Sequence, residues 1–261
     1  MACLFHADDL YDSKIVSKQI QILLNESISS VFTMSRMIND NGAFLESRQS
    51  TNYLHHGINR LDFQAIFSLI LENNNFIKTP TLMTTKTVIN KVGNFRRELF
   101  KSSSDLDLWL RMSLLRPIAI INEPLHYYRI SHNQASFQIY NNRTEPQDYF
   151  KVIDHYLSDK NLQVRGSSRS INKYESVKGA ELIDCSVNLF KLNKADQGKI
   201  LLRTALSGKN FYHALFDLKR TVKYAFGLLV RISLMVGGGK SISIFISEIY
   251  RKEKERWSNA K

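Results

Sequence analysis

The sequence has little cysteine and no long apolar run, and each shortage excludes a class of protein. Its two cysteines, Cys3 and Cys185, stand too far apart to suggest a disulfide framework or a zinc site, which fits a reducing compartment. The longest apolar run, residues 225–236, is interrupted by Arg231 and is shorter than the roughly 20 residues that span a bilayer. Residues 1–5 are too few for the apolar part of a signal peptide. We therefore expect a soluble cytoplasmic protein, with contact at the cytoplasmic membrane face as the alternative.

Acidic residues are also scarce, and the resulting positive charge is spread unevenly. The 261 residues include 36 Lys or Arg and 24 Asp or Glu, which gives a net charge of +12. A positive surface favours anionic partners such as nucleic acids, phosphorylated substrates or acidic membranes. From Lys209 onward, eleven Lys or Arg stand against four Asp or Glu. We expect no nucleic-acid binding, because the aromatic residues are not interleaved with basic ones and no binding motif occurs.

The apolar content, at 43%, is enough for a folded core, and its pattern changes along the chain. The first half is predicted to be mixed α/β, with strands separated by helices. Residues 29–38 read as a strand, residues 61–72 as an amphipathic helix, and residues 118–130 as two short strands with a turn at Glu123 and Pro124. After Ser136 helical patterns dominate. We therefore predict one region over residues 1–136 and a helical, basic region over residues 137–261.

An Asp pair, Asp8 and Asp9, lies between a short apolar run and a helix that is predicted to start at Asp12 or Ser13. A carboxylate just beyond the end of a strand is where α/β folds place ligand-binding groups. Carboxylate oxygens suit Mg²⁺ or Mn²⁺, and such an ion can bridge a diphosphate. The alternative is structural, with Asp9 or Asp12 capping the helix that follows.

Asp105 and Asp107 begin the helix predicted over residues 102–115 and allow a similar choice. Either acid can stabilise the positive end of the helix dipole, in competition with the serines at 102–104 as caps. The functional alternative is a general base that takes a proton from an attacking hydroxyl. His132 lies in a polar loop after a predicted strand, where a lone histidine is either a surface residue or a ligand contact.

Taken in order, four segments of this sequence resemble the family 2 glycosyltransferases of the GT-A fold. "FHADD" and the helix after it resemble the family's Asp-x-Asp region, and "SSVFTMSRMINDNG" resembles the next strand and turn. "TPTLMTTKTVINKVGNFRREL" is similar to the acceptor-side segment. "SDLDLWLRM" followed by "INEPLHYYRISHNQAS" resembles the catalytic-base helix and the closing strands. The resemblance covers about half of the chain and implies a partial GT-A, Rossmann-like mixed sheet followed by a mostly helical region.

The resemblance also implies an activity, the inverting transfer of a sugar from a nucleotide-sugar donor to a hydroxyl of a glycan or glycolipid acceptor during surface polysaccharide or glycolipid synthesis. Asp8 matches the last acid of the Asp-x-Asp motif and would hold Mg²⁺ or Mn²⁺. His6 stands in the place of the first acid and is the second candidate ligand. Asp105 matches the catalytic base.

The remaining roles that the resemblance implies concern the donor. Asp9, Arg111 and His132 are the candidates for substrate binding. Arg111 and His132 could meet the diphosphate or its metal, because charge-assisted contacts matter most when negative charge develops on the leaving group. The family's nucleotide-binding portion normally precedes the Asp pair, whereas only seven residues precede Asp8 here. We therefore expect a truncated chain that does not transfer sugar by itself.

The alternative is a non-catalytic remnant that contacts a membrane or a partner through its basic helical tail. Residues 219–236 alternate cations with apolar residues, a pattern that fits an anionic membrane interface. An ordinary amphipathic helix packed in a core fits the same pattern equally well.

Overall fold

The structure is a computed structural model that describes residues 1–25, 27–45, 53–130, 143–162, 164, 167–207, 218–235 and 248. The chain divides into two compact units. The first comprises Met1–Gln134 and Asp148–Ser167, and the second comprises Ala135–Gln147 and Ser168–Lys261. The first unit is mixed α/β and the described part of the second is helical, so the predicted fold class is confirmed at that level. The division into residues 1–136 and 137–261 as functional regions stays a prediction.

The first unit alternates short strands with helices, as the change of periodicity along the chain predicts. Two single 3₁₀ turns, at Thr79–Thr81 and Lys101–Ser103, interrupt the longer elements. In chain order the unit contains β1 (Ala2–Cys3), β2 (Leu10–Tyr11), α1 (Ile15–Asn25), β3 (Ser30–Ile38), β4 (Ile58–Leu61), α2 (Phe63–Asn73), β5 (Met83–Thr84), α3 (Lys86–Val92), α4 (Arg97–Phe100), α5 (Ser104–Leu115), β6 (Ile118–Arg129) and α6 (Asp148–Ser158).

A mixed sheet is built around the parallel pair β3 and β6. On the outer side of β3 the order continues through β5 to β1, both pairings being antiparallel. The other edge of β6 is shared by two short antiparallel strands, with β4 beside its first half and β2 beside its second half. The loop that joins β1 to β2 carries Asp8 and Asp9. Because β1 and β2 lie at opposite edges of the sheet, this loop runs from one edge to the other.

The prediction of two short strands around Pro124 is wrong, because β6 is one strand of 12 residues. Its pairing with β3 is irregular at this point: Thr33 faces Ile121, Met34 faces Pro124, and the register shifts on both sides of Met34. Proline has no N–H for the ladder and is accepted in sheets at such bulges. The turn residues therefore mark a bulge where β6 changes its outer partner from β4 to β2.

Local contacts mark the ends of several helices. Asp62 starts α2, since its Oδ1 accepts the N–H of Ala65 at 2.9 Å. At the start of α1 the Oδ1 of Asp12 accepts the N–H of Lys14 at 2.8 Å. Gly93 ends α3 with φ near +81°, a conformation that glycine adopts without the steric cost of a side chain.

The helix α5 packs on the central strands and so positions both of its acids. Its Trp109 is fully buried, and its ring meets that of Phe32 on β3 edge to face, with the centroids 5.1 Å apart. Leu106 and Leu110 are buried on the same helix. Burying such side chains contributes on the order of 2 kcal/mol each, which fixes the rotation of α5 about its axis.

The second unit contains α7 (Ser168–Lys191), α8 (Ala195–Ala205) and α9 (Leu218–Met235), packed around Ile183, Leu202 and Tyr224. Gly179 permits the close approach of α7 and α9, because a Cβ there would lie 1.8 Å from the Tyr224 hydroxyl. One face of α9 is thus a core face, while the other exposes Val222, Leu228, Leu229, Ile232 and Met235. Among the described residues, no helix combines the length and apolar character needed to cross a bilayer.

Candidate functional site

Asp9, in the loop between β1 and β2, is a buried carboxylate held by three neighbours. Its Oδ2 lies 3.0 Å from Nε2 of His126, and its Oδ1 accepts the N–H of Arg129 at 2.9 Å. The Nδ1 of His6 lies 3.6 Å from the same Oδ2. Asp9 therefore ties the loop to β6 through His126 and Arg129.

His126 is the fully buried partner of this carboxylate and connects it to the central strands. Its Nδ1 lies 2.7 Å from the Ser35 hydroxyl on β3, and its Nε2 faces Asp9. Burial lowers the pKa of His126, although the hydrogen bond with Asp9 and the charge of Asp9 oppose this effect. A neutral imidazole bonded at both nitrogens fixes the loop in position. Sequence reasoning assigned His126 no role.

His6 and Asp8 are exposed beside this fixed carboxylate. One possible ligand atom from each of His6, Asp8 and Asp9 lies within 4.8 Å of the others. Among the residues that the structure describes, none forms a hydrogen bond or ion pair with the Asp8 carboxylate, whereas the Asp8 carbonyl accepts Nε of Arg129 at 2.8 Å. One carboxylate and one imidazole fit a divalent ion, and the imidazole favours Mn²⁺ over Mg²⁺, which prefers oxygen ligands.

Asp105 lies at the first turn of α5 and faces a cavity. Its Oδ2 accepts the Thr79 hydroxyl at 2.8 Å, while its Oδ1 accepts the N–H of Leu106 at 2.7 Å. Ser103, at the cap position, makes no capping hydrogen bond through its side chain. The cavity has a volume of about 520 Å³ and is lined by Thr79, Phe95, Arg97, Lys101, Ser102, Ser104 and Asp105. Asp105 is thus both a helix-end residue and a group accessible to a ligand.

Lys78 connects the two acidic groups, and sequence reasoning missed it. Burial lowers the pKa of the Lys78 ammonium, and the charge of Asp105 opposes that shift. Its Nζ lies 5.6 Å from the centre of the Tyr128 ring, and its charge also lowers the pKa of His126. The charge of Lys78 therefore interacts with Asp105 and with His126. The sequence does contain a sign of this burial, since Lys78 stands between two apolar residues and a Thr-Pro pair.

Asp107, two residues after Asp105, is fully buried among cations. Arg96 bonds both of its oxygens through Nε and Nη2, the Nε contact being 2.9 Å, and Nε of Arg111 lies 3.0 Å from Oδ2. The Tyr156 hydroxyl donates to Oδ1 at 3.0 Å. Burial raises the pKa of Asp107, but the hydrogen bonds and charges of the two arginines outweigh it and hold that pKa below its usual value.

The predicted substrate contacts differ in what the structure says of them. Arg111 is engaged by Asp107 and also donates to the carbonyls of Val92 and Asn94, so it holds the turn that precedes α4. Its contact with a diphosphate stays a prediction. His132 lies outside the described residues, and its role stays a prediction as well.

Comparison with known proteins identifies a distant similarity. The chain is 30% identical over 157 residues to the O-antigen biosynthesis glycosyltransferase WbnJ of Escherichia coli, and this match covers 59% of the chain and 54% of that protein. The chain thus spans about half the length of the curated relative it matches. No known protein-family profile matches the sequence. The similarity supports a glycosyltransferase role in general.

Proposed function

We propose that the chain belongs to an inverting, metal-dependent glycosyltransferase of the GT-A type, which transfers a sugar from a nucleotide-sugar donor to an acceptor hydroxyl in surface polysaccharide or glycolipid synthesis. The distant similarity to an O-antigen glycosyltransferase supports the class of reaction. The observations that carry the proposal are the cluster of His6, Asp8 and Asp9, whose possible ligand atoms lie within 4.8 Å of one another, and the position of Asp105 at the wall of a cavity.

In the proposed reaction, the acceptor hydroxyl lies in the cavity beside Asp105. Its oxygen attacks the anomeric carbon of the donor while the bond from that carbon to the diphosphate breaks. The hydroxyl proton passes to the Asp105 carboxylate, and the nucleoside diphosphate leaves with the bonding electron pair. Thr79 orients the carboxylate through its hydrogen bond to Oδ2. A single displacement of this kind inverts the anomeric configuration.

The proposed metal ligands are His6 and Asp8, and a divalent cation bound there supplies positive charge to the leaving diphosphate. Asp9 keeps the ligands in place through its bonds to His126 and Arg129. Arg111 and His132 remain proposed contacts of the donor. The contacts of Arg111 also support a positioning role, since it holds the turn that contributes Phe95 to the cavity.

The metal site is testable without turnover. Titration of the full chain with Mn²⁺, followed by the electron paramagnetic resonance signal of the free ion, should show binding that Asp8→Asn weakens at least about 10-fold, as the loss of a charged ligand predicts. Asp196→Asn, an exposed carboxylate of α8, is the matched control and should leave binding unchanged. Equal Mn²⁺ binding by Asp8→Asn would remove the metal site from the proposal.

The base is testable by transfer. With a panel of labelled nucleotide sugars and glycan acceptors, Asp105→Asn should lower the rate of transfer by about 10²- to 10⁴-fold while Mn²⁺ binding is kept. The original chain, assayed in parallel under the same conditions, gives the reference rate. Unchanged transfer by Asp105→Asn would contradict the assignment of the base.

A second candidate function is contact with an anionic membrane through α9. The face of α9 opposite its core contacts exposes Val222, Leu229 and Ile232. Sedimentation with phosphatidylglycerol vesicles is expected to pull down the chain, and the double variant Leu229→Glu/Ile232→Glu should abolish the effect. Ile200→Glu, an exposed residue of α8, is the control and should bind like the original chain.

A further inference from the structure

The cavity beside Asp105 carries more positive than negative charge. Arg97 and Lys101 are exposed at its wall, and Asp105 is the acid among its lining residues. Among the described residues, neither of these two cations forms an ion pair, whereas the Asp105 carboxylate accepts the Thr79 hydroxyl. The cavity therefore offers two uncompensated cations to whatever enters it.

A second acid contacts the wall but is itself compensated. Asp148 accepts the hydroxyl of Ser102 at 2.7 Å and its N–H at 3.3 Å, and it pairs with Lys151 at 2.9 Å. Burial raises the pKa of Asp148, while the bonds from Lys151 and Ser102 outweigh it and lower that pKa overall. The Asp148 charge is thus matched by Lys151 and leaves Arg97 and Lys101 available.

Lys101 adopts a backbone conformation that favours glycine. Its φ is 43° and its ψ is −116°, where a side chain is disfavoured sterically. It ends α4, with its N–H donating to the carbonyl of Arg97, and begins the 3₁₀ turn that leads to Asp105. Glycine would occupy this position with less strain, so the lysine side chain is present at a cost in stability. Residues retained in strained conformations cluster at ligand sites.

The rest of the lining suits a sugar. Phe95 is half-buried, and its ring is held edge to face against Trp109 with the centroids 6.4 Å apart. Thr79 and Ser102 also line the cavity, and their hydroxyls are fixed by hydrogen bonds to Asp105 and Asp148. An aromatic surface with a few fixed polar groups is typical of small-molecule sites, where the apolar part supplies contact area and the polar part sets orientation.

We propose that the acceptor glycan carries an anionic group, a carboxylate or a phosphate, next to the hydroxyl that attacks the donor, and that Arg97 and Lys101 bind this group. The inference rests on the proposed function, because Asp105 defines which hydroxyl reacts. A guanidinium can hold two oxygens of a carboxylate or phosphate at once, while an ammonium acts as a compact charge. Together they select acidic acceptors over neutral ones.

The experiment compares three monosaccharides of similar size as ligands of the full chain, without donor or metal. Glucuronate, glucose 6-phosphate and glucose are titrated while binding is followed by ligand-observed nuclear magnetic resonance. At least one acidic sugar should bind 10-fold or more tightly than glucose, and the better one identifies the anion as carboxylate or phosphate. Arg97→Gln should weaken that binding 5-fold or more, whereas Arg116→Gln, an exposed arginine outside the cavity, should not.

Lys101→Gly separates ligand binding from folding. This variant should melt at a higher temperature than the original chain, since the strain is relieved, and yet bind the acidic sugar at least 5-fold more weakly. The control is Lys91→Gln, at a lysine of α3, because glycine at that position would destabilise the helix. Lys91→Gln should bind the acidic sugar as tightly as the original chain does. Loss of binding in a more stable protein cannot be explained by misfolding.

The outcomes discriminate clearly. Equal binding of glucose and both acidic sugars, or binding unchanged in both Arg97→Gln and Lys101→Gly, overturns the inference. Inorganic phosphate that competes as well as the acidic sugar also overturns it, because the site then recognises an anion alone. Failure of the proposed function would appear in other measurements. Asp8→Asn would then bind Mn²⁺ as well as the original chain does, or Asp105→Asn would transfer sugar at an unchanged rate, while the preference for acidic sugars in the titrations would remain.

Discussion

Asp105 and Asp107 start the same helix two residues apart, yet they occupy opposite kinds of environment. Asp107 is fully buried and bonded to Arg96, Arg111 and Tyr156. Asp105 lies at the wall of a cavity and is held by Thr79. A carboxylate that is surrounded by two guanidinium groups stabilises the fold and is closed to ligands. Its neighbour, with fewer partners, keeps a surface on which chemistry can take place.

The same contrast separates the adjacent residues Asp8 and Asp9. Asp9 is buried and bonded to His126 and to the backbone of Arg129, while Asp8 is exposed. In both pairs one acid builds the support and the other is presented to solvent. Substitutions at the four acids are therefore the direct way to break or sharpen the comparison.

The largest effect on stability is expected for Asp107→Ala. This change leaves two guanidinium groups without their buried partner and should lower the free energy of unfolding by about 3–5 kcal/mol. Urea unfolding at pH 7, followed by circular dichroism, measures the difference. Asp105→Ala, on the same helix, is the matched control and should cost less than about 1 kcal/mol. Equal losses at the two positions would contradict the division between support and site.

The pH dependence of stability tests the same ion network. The folded-state pKa of Asp107 lies below its unfolded value of about 4, because the bonds from the arginines outweigh burial. Its contribution is therefore complete above about pH 4 and is lost as the pH falls through the folded-state pKa. Asp107→Asn should flatten the stability profile below pH 4, and a profile unchanged from that of the original chain would show that Asp107 is not the titrating group.

A smaller effect is expected when the adjacent acids of the loop are compared. Asp9→Ala leaves the buried His126 and the Arg129 N–H without an acceptor and should cost about 2 kcal/mol. Asp8→Ala removes an exposed side chain and should change stability by less than about 0.5 kcal/mol. Urea unfolding of both variants in metal-free buffer measures the pair. A larger loss for Asp8→Ala would reverse the comparison.

The smallest effect is expected for Tyr156→Phe, which removes one hydrogen bond to Asp107 and keeps the ring. The expected loss is about 1 kcal/mol, the usual net value of a buried hydrogen bond, because the arginines still neutralise the carboxylate. Tyr127→Phe, at a half-buried ring on β6, is the control and should be close to neutral. A loss of more than about 3 kcal/mol in the free energy of unfolding would contradict this, because it would show that Tyr156, and not only the two arginines, is needed to stabilise the buried Asp107 carboxylate.

Much of the fold follows from local pattern, as particular elements show. The cap at Asp62 and the glycine after α3 mark helix ends that depend on neighbouring backbone groups, so short-range rules find them. The strand β6 was misjudged because the effect of Pro124 depends on β3, which is remote in sequence and supplies the pairing partner. Local rules treat that proline as a turn, whereas the sheet accommodates it as a bulge.

The candidate site shows the same division between local and remote information. Asp8 and Asp105 could be selected from sequence, because acids after a strand and at a helix start have recognisable contexts. Lys78, His126, Arg97 and Lys101 were not selected. Lys78 and His126 acquire their meaning from residues far along the chain: Lys78 from Asp105 and Tyr128, and His126 from Asp9.

The amino-acid sequence by itself determined the α/β character of the first half, the helical character of the second, and the positions of the acids. Those features depend on hydrophobic period and on residues within a few positions of one another. Only the tertiary structure decided which acid of each pair is buried and which is open to ligands. Burial and ion pairing depend on distances between remote segments, and two carboxylates of identical chemistry differ because one meets cations and the other meets solvent.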